Sequence, residues 1–274
     1  MQQYIRAIGH TDWSNADIKA ELDTFAKVYA KKPVSHNDGG MKSPHAFALW
    51  FMLRRLQPDC VVESGVWKGQ STWLIEQAVP DARIFCIDIN FKNLQYRSKR
   101  AVYFDKDFST IQWQEEIANR DNTVLFFDDH QSAFDRIPQA IYYGFKHLIF
   151  EDNYPANTGD CYSLKKVLMQ AGHTPIVLKD WKSQVKRIFG LEKQSAAVIP
   201  NKQDMDYLVS VLDTYYEFPP VYQKAYTRWG APWSNDAIPT PSPILTGAAA
   251  SPTEYLFDSE SGDYTWICYT KIKA

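Results

Sequence analysis

Two pairs of adjacent acids close apolar runs in this chain. Asp128 and Asp129 end "LFFDDHQS"; Glu151 and Asp152, followed by Asn153, end "LIFEDNYP". If both runs are strands of one parallel sheet, these side chains converge at its carboxyl edge. Several carboxylates in one crevice repel unless they are protonated or neutralised by a cation. An all-oxygen set suits Mg²⁺, Mn²⁺ or Ca²⁺ rather than zinc. The plainer account, acids capping the helices that follow, explains one such pair easily and two less well.

A second constellation lies upstream, in "VVESGVWKGQST", residues 61–72. Gly65 and Gly69 fit neither the dinucleotide fingerprint G-x-G-x-x-G nor a P-loop, since no G-K-[ST] follows. Alone they are compatible with a tight turn. Asp88 ends the next apolar run, "IFCID", where a carboxylate can accept both hydroxyls of a ribose. Glu63 ends the run before the glycines and faces either the same crevice or the neighbouring backbone. Two glycines and two acids so placed favour an adenosine-type ligand without a pyrophosphate, of which S-adenosylmethionine is one.

The elements that must position these groups read as an α/β chain. Helices are expected over "NADIKAELDTFAKVYAKK", capped by Ser14 or Asn15, and over "SPHAFALWFMLRRL" from Ser43. Short apolar strands follow at 60–64, 82–90, 122–129 and 146–153. They alternate with helices over "QSTWLIEQAV", Ser132 to Tyr143, and "YSLKKVLMQAG" up to Gly172. Such alternation predicts a doubly wound, Rossmann-like, mostly parallel sheet covered on both faces. "FSTIQWQEEIAN" and "DMDYLVSVLDTYYEF" read as further helices. "TEYLFD" and "YTWICYTKI" read as a closing C-terminal antiparallel hairpin around "SESGD". The expectation is one domain over 1–274, with N-terminal helices in 1–57 and a Pro- and aromatic-rich insertion at 179–252.

Composition excludes several classes. Across 274 residues the formal net charge is −2 with no long run of either sign, which argues against nucleic acid or a membrane as partner. No apolar run approaches the ~18 residues of a membrane span, and "MQQYIRAIGHTDWSN" has no signal-peptide character. The four cysteines are widely spaced without ligand motifs, as in a reduced, cytoplasmic protein. Aromatic residues make up 15% of the chain, enough to fill a core and leave rings for a cleft or a subunit interface.

Taken in order, "VVESGVWKGQST…ARIFCIDIN" resembles the first motifs of the class I S-adenosylmethionine-dependent methyltransferases. The E-x-G-x-x-x-G-x-S form is similar to that of the catechol O-methyltransferase and macrolide-sugar O-methyltransferase group. The likeness covers residues of about 40 to 155. It implies cofactor contacts from Glu63, Gly65, Trp67, Gly69, Ser71 and Asp88, and from Met41, with Lys42 nearby, in "GGMKSPHA". "VYFDKDFSTIQW" falls where that fold contacts adenine, which implies Asp107 on the amine and Phe108 on the ring. An N-cap role for Asp107 is equally open. Asp129-His130 and Asp152-Asn153 match the family's "D-H" and "D-N", which implies Mg²⁺ on Asp129, Asp152 and Asn153.

One departure stands out. The catechol enzymes' basic lysine position is Ser132 here, which puts a catechol acceptor in doubt. His130 or Asp128 is then the candidate proton acceptor beside Asp129, with His130 equally suited to contact the cofactor. The implied reaction is direct in-line transfer. The methyl group is already activated, so the protein positions the acceptor oxygen and excludes water. Metal coordination lowers the pKa of a bound hydroxyl.

The acceptor suggested by analogy is a hydroxyl on a small molecule, a sugar or glycan-containing one preferred. Tyr215, Tyr216, Phe218, Tyr222, Tyr226, Trp229 and Trp233 of the insertion would line its pocket, or else form a homodimer face or the insertion's own core. Two other classes remain: an oxygenase resembling the cephalosporin hydroxylases, for which no 2-His-1-carboxylate set is evident, and a non-catalytic nucleotide-binding partner. His147 and His173 lie near strands but away from the right strand tip.

Overall fold

The computed structural model describes residues 8–169, 201–228, 230, 233 and 240–274. Two short helices open it, α1 (Asn15–Ala20) and α2 (Leu22–Tyr29). Ser14 caps α1 in a full capping box with Asp17. Helix α3 (Ser43–Leu56) carries Pro44 in its first turn, where the missing N–H costs nothing, and ends at Gln57 in the left-handed conformation.

The sheet then begins. β1 (Cys60–Ser64), α4 (Gln70–Ala78), β2 (Arg83–Ile87), β3 (Val102–Phe104), α5 (Trp113–Glu116), β4 (Thr123–Phe127), α6 (Ala133–Tyr143), β5 (His147–Phe150) and α7 (Leu164–Leu168) follow in turn. α8 (Lys202–Val211), β6 (Leu212–Glu217), α9 (Pro252–Glu260) and β7 (Cys268–Ile272) complete it. The strand order is β3-β2-β1-β4-β5-β7-β6, and β7 alone runs antiparallel to its neighbours. This is the expected doubly wound α/β sheet. Successive residues of β1 serve opposite faces: Val61 joins the core under α3 and α4, while Cys60 and Val62 join the core under α6 and α7. Burial on both faces is why the strands are unbroken apolar runs. All four cysteines are buried and unpaired.

Several expectations fail locally. The partner of β7 is β6, not residues 253–258. "TEYLFD" is helical because Ser251 accepts from the Glu254 amide and Pro252 opens the helix. "LDTYYE", read as the end of a helix, is β6, drawn into the sheet by β7. The range 179–252, read as an insertion, therefore contains the sheet's edge strand; its first part, 179–200, lies outside the described residues, as do Trp229, His173 and the expected end of the helix at Gly172. "FSTIQWQEEIAN" is a 3-10 turn (Phe108–Thr110) and the single turn α5.

Candidate functional site

The chain builds outward from β1 to β2 and β3, then returns to place β4 and β5 on the other side. The reversal leaves a crevice outside the carboxyl ends of β1 and β4, as the topology requires. That crevice encloses about 400 Å³ and is lined by the glycine loop, the β2 tip and the β4 tip: Ser64, Gly65, Trp67, Ile87, Asp88, Ile89, Asp107, Asp128, Asp129, His130 and Arg136 among them.

Both glycines are demanded by the protein's own packing. Gly65 has φ +93°, and a Cβ there would lie 2.0 Å from the Asp128 carbonyl oxygen. At Gly69, φ +84°, it would lie 2.1 Å from that of Tyr96, and Gly69 turns away from the crevice into the start of α4. Asp88 grips the loop between them: its Oδ2 accepts from the amides of Val66 and Trp67, each at 3.1 Å, and its Oδ1 from Asn90 at 2.9 Å. A carboxylate has about four lone-pair sites, so Asp88 keeps acceptor capacity toward the crevice. Trp67 (φ +49°) and His130 (φ +54°) are two crevice residues held in the left-handed region that side chains disfavour. Trp67 also donates its indole N–H to the Asp38 carbonyl at 2.9 Å, tying the segment with Gly39 and Gly40 across the opening. Met41 and Ser71 line a small recess that adjoins the crevice at Trp67 and Asp128. Lys42 does not reach it; its ammonium donates to the Asn37 carbonyl.

Glu63 is fully buried behind the loop, where Thr72 Oγ1 donates to its Oε2 at 2.5 Å. Burial pushes its carboxyl up to about 7, against the hydrogen bonds from Ser71 and Thr72. It does not line the crevice, so a direct cofactor contact is replaced by support of the loop from beneath. Phe108 is a clear correction. It is 0% exposed and packs on Trp113, Phe127, Tyr143 and Phe145, leaving no face for an adenine ring. The apolar surface beside Asp88 is instead Ile87 and Ile89, the latter 82% exposed. Asp107 caps the 3-10 turn and pairs with Arg136 through both oxygens, 3.2 and 2.8 Å; those bonds hold its carboxyl well below the usual range.

The acidic strand ends sort differently from the resemblance. Asp129 Oδ2 accepts from Arg136 Nη2 and Ser64 Oγ, both at 2.7 Å, and its Oδ1 accepts from the Gln131 amide. Asn153 is 0% exposed, with its amide donating to Tyr215 Oη at 2.7 Å and its oxygen accepting from the Lys165 amide at 2.9 Å. Asp129 lines the crevice and, like Asp88, keeps acceptor capacity, but Asn153 is committed to protein partners and lines neither the crevice nor the recess beside it, so the expected set of Asp129, Asp152 and Asn153 does not assemble as a whole. Asp128, His130 and Asp152 do, with ligand atoms within 4.8 Å of one another.

Within that cluster, burial and the neighbouring Asp152 push the Asp128 carboxyl well up. Burial would raise Asp152 too, but the His130 contact holds it below the usual range. His130 Nδ1 lies 2.9 Å from Asp152 Oδ2 and 3.5 Å from Asp160 Oδ1, and Asp152 pushes the imidazole up to about 11. His130 is thus the neighbour that offsets the Asp152 charge. Two carboxylates and an imidazole with ligand atoms this close form a donor set that fits a divalent cation.

Of the aromatics assigned to a substrate pocket, Tyr215, Phe218 and Tyr222 are buried core residues, and Tyr216 packs on Trp13 and Phe218. Trp233 packs on Tyr264 and Trp266, and Tyr226 is 61% exposed. Among the described residues none of them lines the crevice. Arg136, His45 and Ile89 were missed in the sequence. Only Arg136, seven residues beyond Asp129 and in the first turn of α6, offered a spacing signal there.

No protein-family model and no curated protein matches the chain. Solved structures share its outline. The O-methyltransferase TomG of Streptomyces achromogenes, involved in tomaymycin synthesis and bound to S-adenosylmethionine, is similar at 10% identity and TM-score 0.44 over 99% of this chain and 95% of that one. The Podospora anserina methyltransferase PaMTH1, bound to S-adenosylhomocysteine, is similar at 9% identity and TM-score 0.43 over 100% and 93%. An O-methyltransferase from Bacillus cereus with S-adenosylhomocysteine gives 12%, 0.43, 99% and 96%. These likenesses are of outline alone, and the chemistry has to come from the chain's own crevice.

Proposed function

We propose that the chain is an S-adenosylmethionine-dependent O-methyltransferase that works with a divalent cation, Mg²⁺ or Mn²⁺, on a hydroxyl of a small molecule. The observation that carries this reading is a crevice that holds an acid-gripped glycine loop with Asp128 and His130, and that is adjoined at His130 by a recess lined by Asp152, the three ligand atoms lying within 4.8 Å of one another. Asp88 would accept a ribose hydroxyl, Ile87 and Ile89 would lie along the adenine, and Met41, Trp67 and Ser71 would flank the methionine end. Asp128, His130 and Asp152 would hold the cation.

When bound, the cofactor supplies an activated methyl group and the cation supplies positive charge beside the acceptor oxygen. The chain's part is to orient the acceptor at the β4 and β5 tips and to narrow the opening with Trp67 and the 36–41 segment. An imidazole that ligates the cation through one ring nitrogen carries its proton on the other, so His130 would help to hold the cation and would not itself take the acceptor's proton. A sugar-containing acceptor is the narrower form of the proposal, supported by the resemblance and not by the aromatic residues once assigned to it. The test is transfer of labelled methyl from S-adenosylmethionine to a panel of sugar-bearing and phenolic hydroxyl compounds, with Mg²⁺ or with chelator. Incorporation that chelator abolishes supports the reading; incorporation unaffected by chelator removes the cation from it.

A further inference from the structure

His45 lies in the first turn of α3, 1% exposed, with Tyr264 edge-on to its ring at 5.3 Å and 88°. Both ring nitrogens are engaged. The Thr265 amide donates to Nε2 at 2.9 Å, and a backbone amide can only donate, so Nε2 keeps its lone pair and the ring proton sits on Nδ1. Nδ1 lies 2.6 Å from Glu151 Oε1. His45 is thus a neutral donor of fixed tautomer, in keeping with a burial that lowers its pKa to about 4. It joins three segments far apart in sequence: the start of α3, the tip of β5 and the approach to β7.

The tip of β5 shows what this does. Glu151 donates its amide to the Phe127 carbonyl at 3.0 Å, and Asn153 donates its own to the Trp266 carbonyl at 2.7 Å. The Asn153 side chain is held at both ends by Tyr215 and Lys165, and that of Glu151 is held by His45. Asp152 stands between two pinned neighbours, and of the three it is the one whose oxygen reaches His130 and Asp128.

We propose that His45 is a positioning residue for the cation cluster: by holding Glu151 Oε1 it fixes that carboxyl and, through the strand tip, keeps Asp152 turned toward His130 and Asp128. The inference rests on the reading of Asp128, His130 and Asp152 as a cation site. Without the His45 donor, Glu151 loses its bond to the start of α3, and the strand tip that carries Asp152 is free to shift. Outer partners of this kind typically change metal affinity by about 10–100-fold.

The test compares wild type, His45→Asn and His45→Phe by Mn²⁺ titration followed by electron paramagnetic resonance, by S-adenosylhomocysteine binding, and by crystal structures. Asn carries an N–H near the Nδ1 position and can still donate to Glu151; Phe cannot. Mn²⁺ affinity should fall about tenfold or more in His45→Phe and stay within about threefold of wild type in His45→Asn, with S-adenosylhomocysteine affinity unchanged in both. Should His45→Phe fail to fold, His45→Gln, which can accept from Thr265 but offers Glu151 no donor, takes its place. Wild-type Mn²⁺ affinity in the donor-less variant, or equal losses in both variants, overturns the proposal. If wild type itself binds no Mn²⁺, the cation reading fails separately. The crystal structures then decide: Asp152 displaced from His130 in His45→Phe but not in His45→Asn supports the positioning role, and Asp152 unmoved in both refutes it.

Discussion

Arg136 Nη2 lies 2.7 Å from Asp129 Oδ2, and the same guanidinium nitrogen lies 2.8 Å from Asp107 Oδ2. Arg136 is 4% exposed, so this pairing is part of the folded frame beneath the crevice. It assigns the two acids of β4 to different work. Asp129 shares one guanidinium with Asp107, while Asp128 is left beside Asp152 and His130.

That division gives the first prediction. Asp152→Asn and Asp128→Asn should each weaken Mn²⁺ binding by more than about tenfold, whereas Asp129→Asn should leave it within about threefold. Titration of each variant followed by electron paramagnetic resonance checks this. Loss in Asp129→Asn equal to that in Asp152→Asn would restore the ligand set suggested by the family resemblance.

Phe108 and Ile89 should separate core from ligand surface. Phe108→Ala should destabilise the fold by about 3–5 kcal/mol, as for other buried aromatic truncations, with little change in S-adenosylhomocysteine affinity of the folded protein. Ile89→Ser, at a position 82% exposed, should leave the melting temperature unchanged and lower that affinity severalfold. Chemical denaturation and calorimetry read the two effects independently.

Glu63 supplies a pH signature. Its carboxyl is raised by burial from 4.5 to about 7 in the folded state. Between those values the folded protein holds a proton that the unfolded chain has released, so stability falls as pH rises from about 4.5 to about 7 and then levels. The difference corresponds to about 3 kcal/mol as an order of magnitude. Glu63→Gln should flatten this slope and be the more stable protein at pH 8, measured by urea denaturation across that range. An unchanged slope would place the titration elsewhere.

Gly65→Ala should be disruptive out of proportion to one methyl group. The added Cβ would meet the Asp128 carbonyl at 2.0 Å in a backbone at φ +93°, so either the loop or the β4 tip must move. We expect a loss of about 2 kcal/mol or more, with weakened Mn²⁺ binding because Asp128 shifts. Gly247→Ala, also at positive φ but with open space around it, should cost about 1 kcal/mol and leave the crevice intact.

Much of the frame was legible because parallel strands buried on both faces must be apolar runs, and β1, β2, β4 and β5 are. β6 was not, because "LDTYYE" continues the helical spacing of α8 and becomes a strand only by pairing with β7 some fifty residues later. The start of α9 was readable after all: Ser251, Pro252 and Glu254 form an N-terminal signature that the alternating look of "TEYLFD" concealed. At the site, the sequence placed Asp88, Asp128, His130 and Asp152 at one edge. It could not say that Arg136 occupies Asp129, that Tyr215 and Lys165 occupy Asn153, or that His45 reaches Glu151 across 106 positions. Those partners are chosen by tertiary packing, and acids that look alike in a line diverge once each has a neighbour.

The central claim is that one crevice holds an adenosyl cofactor beside a divalent cation. Calorimetric titration of the wild-type chain with S-adenosylmethionine and S-adenosylhomocysteine, with and without Mg²⁺, tests it most directly. The account predicts one site of micromolar affinity for each cofactor form, weakened by Asp88→Ala and retained in Asp152→Asn. Absence of binding by either form at micromolar concentrations, with or without Mg²⁺, would contradict it.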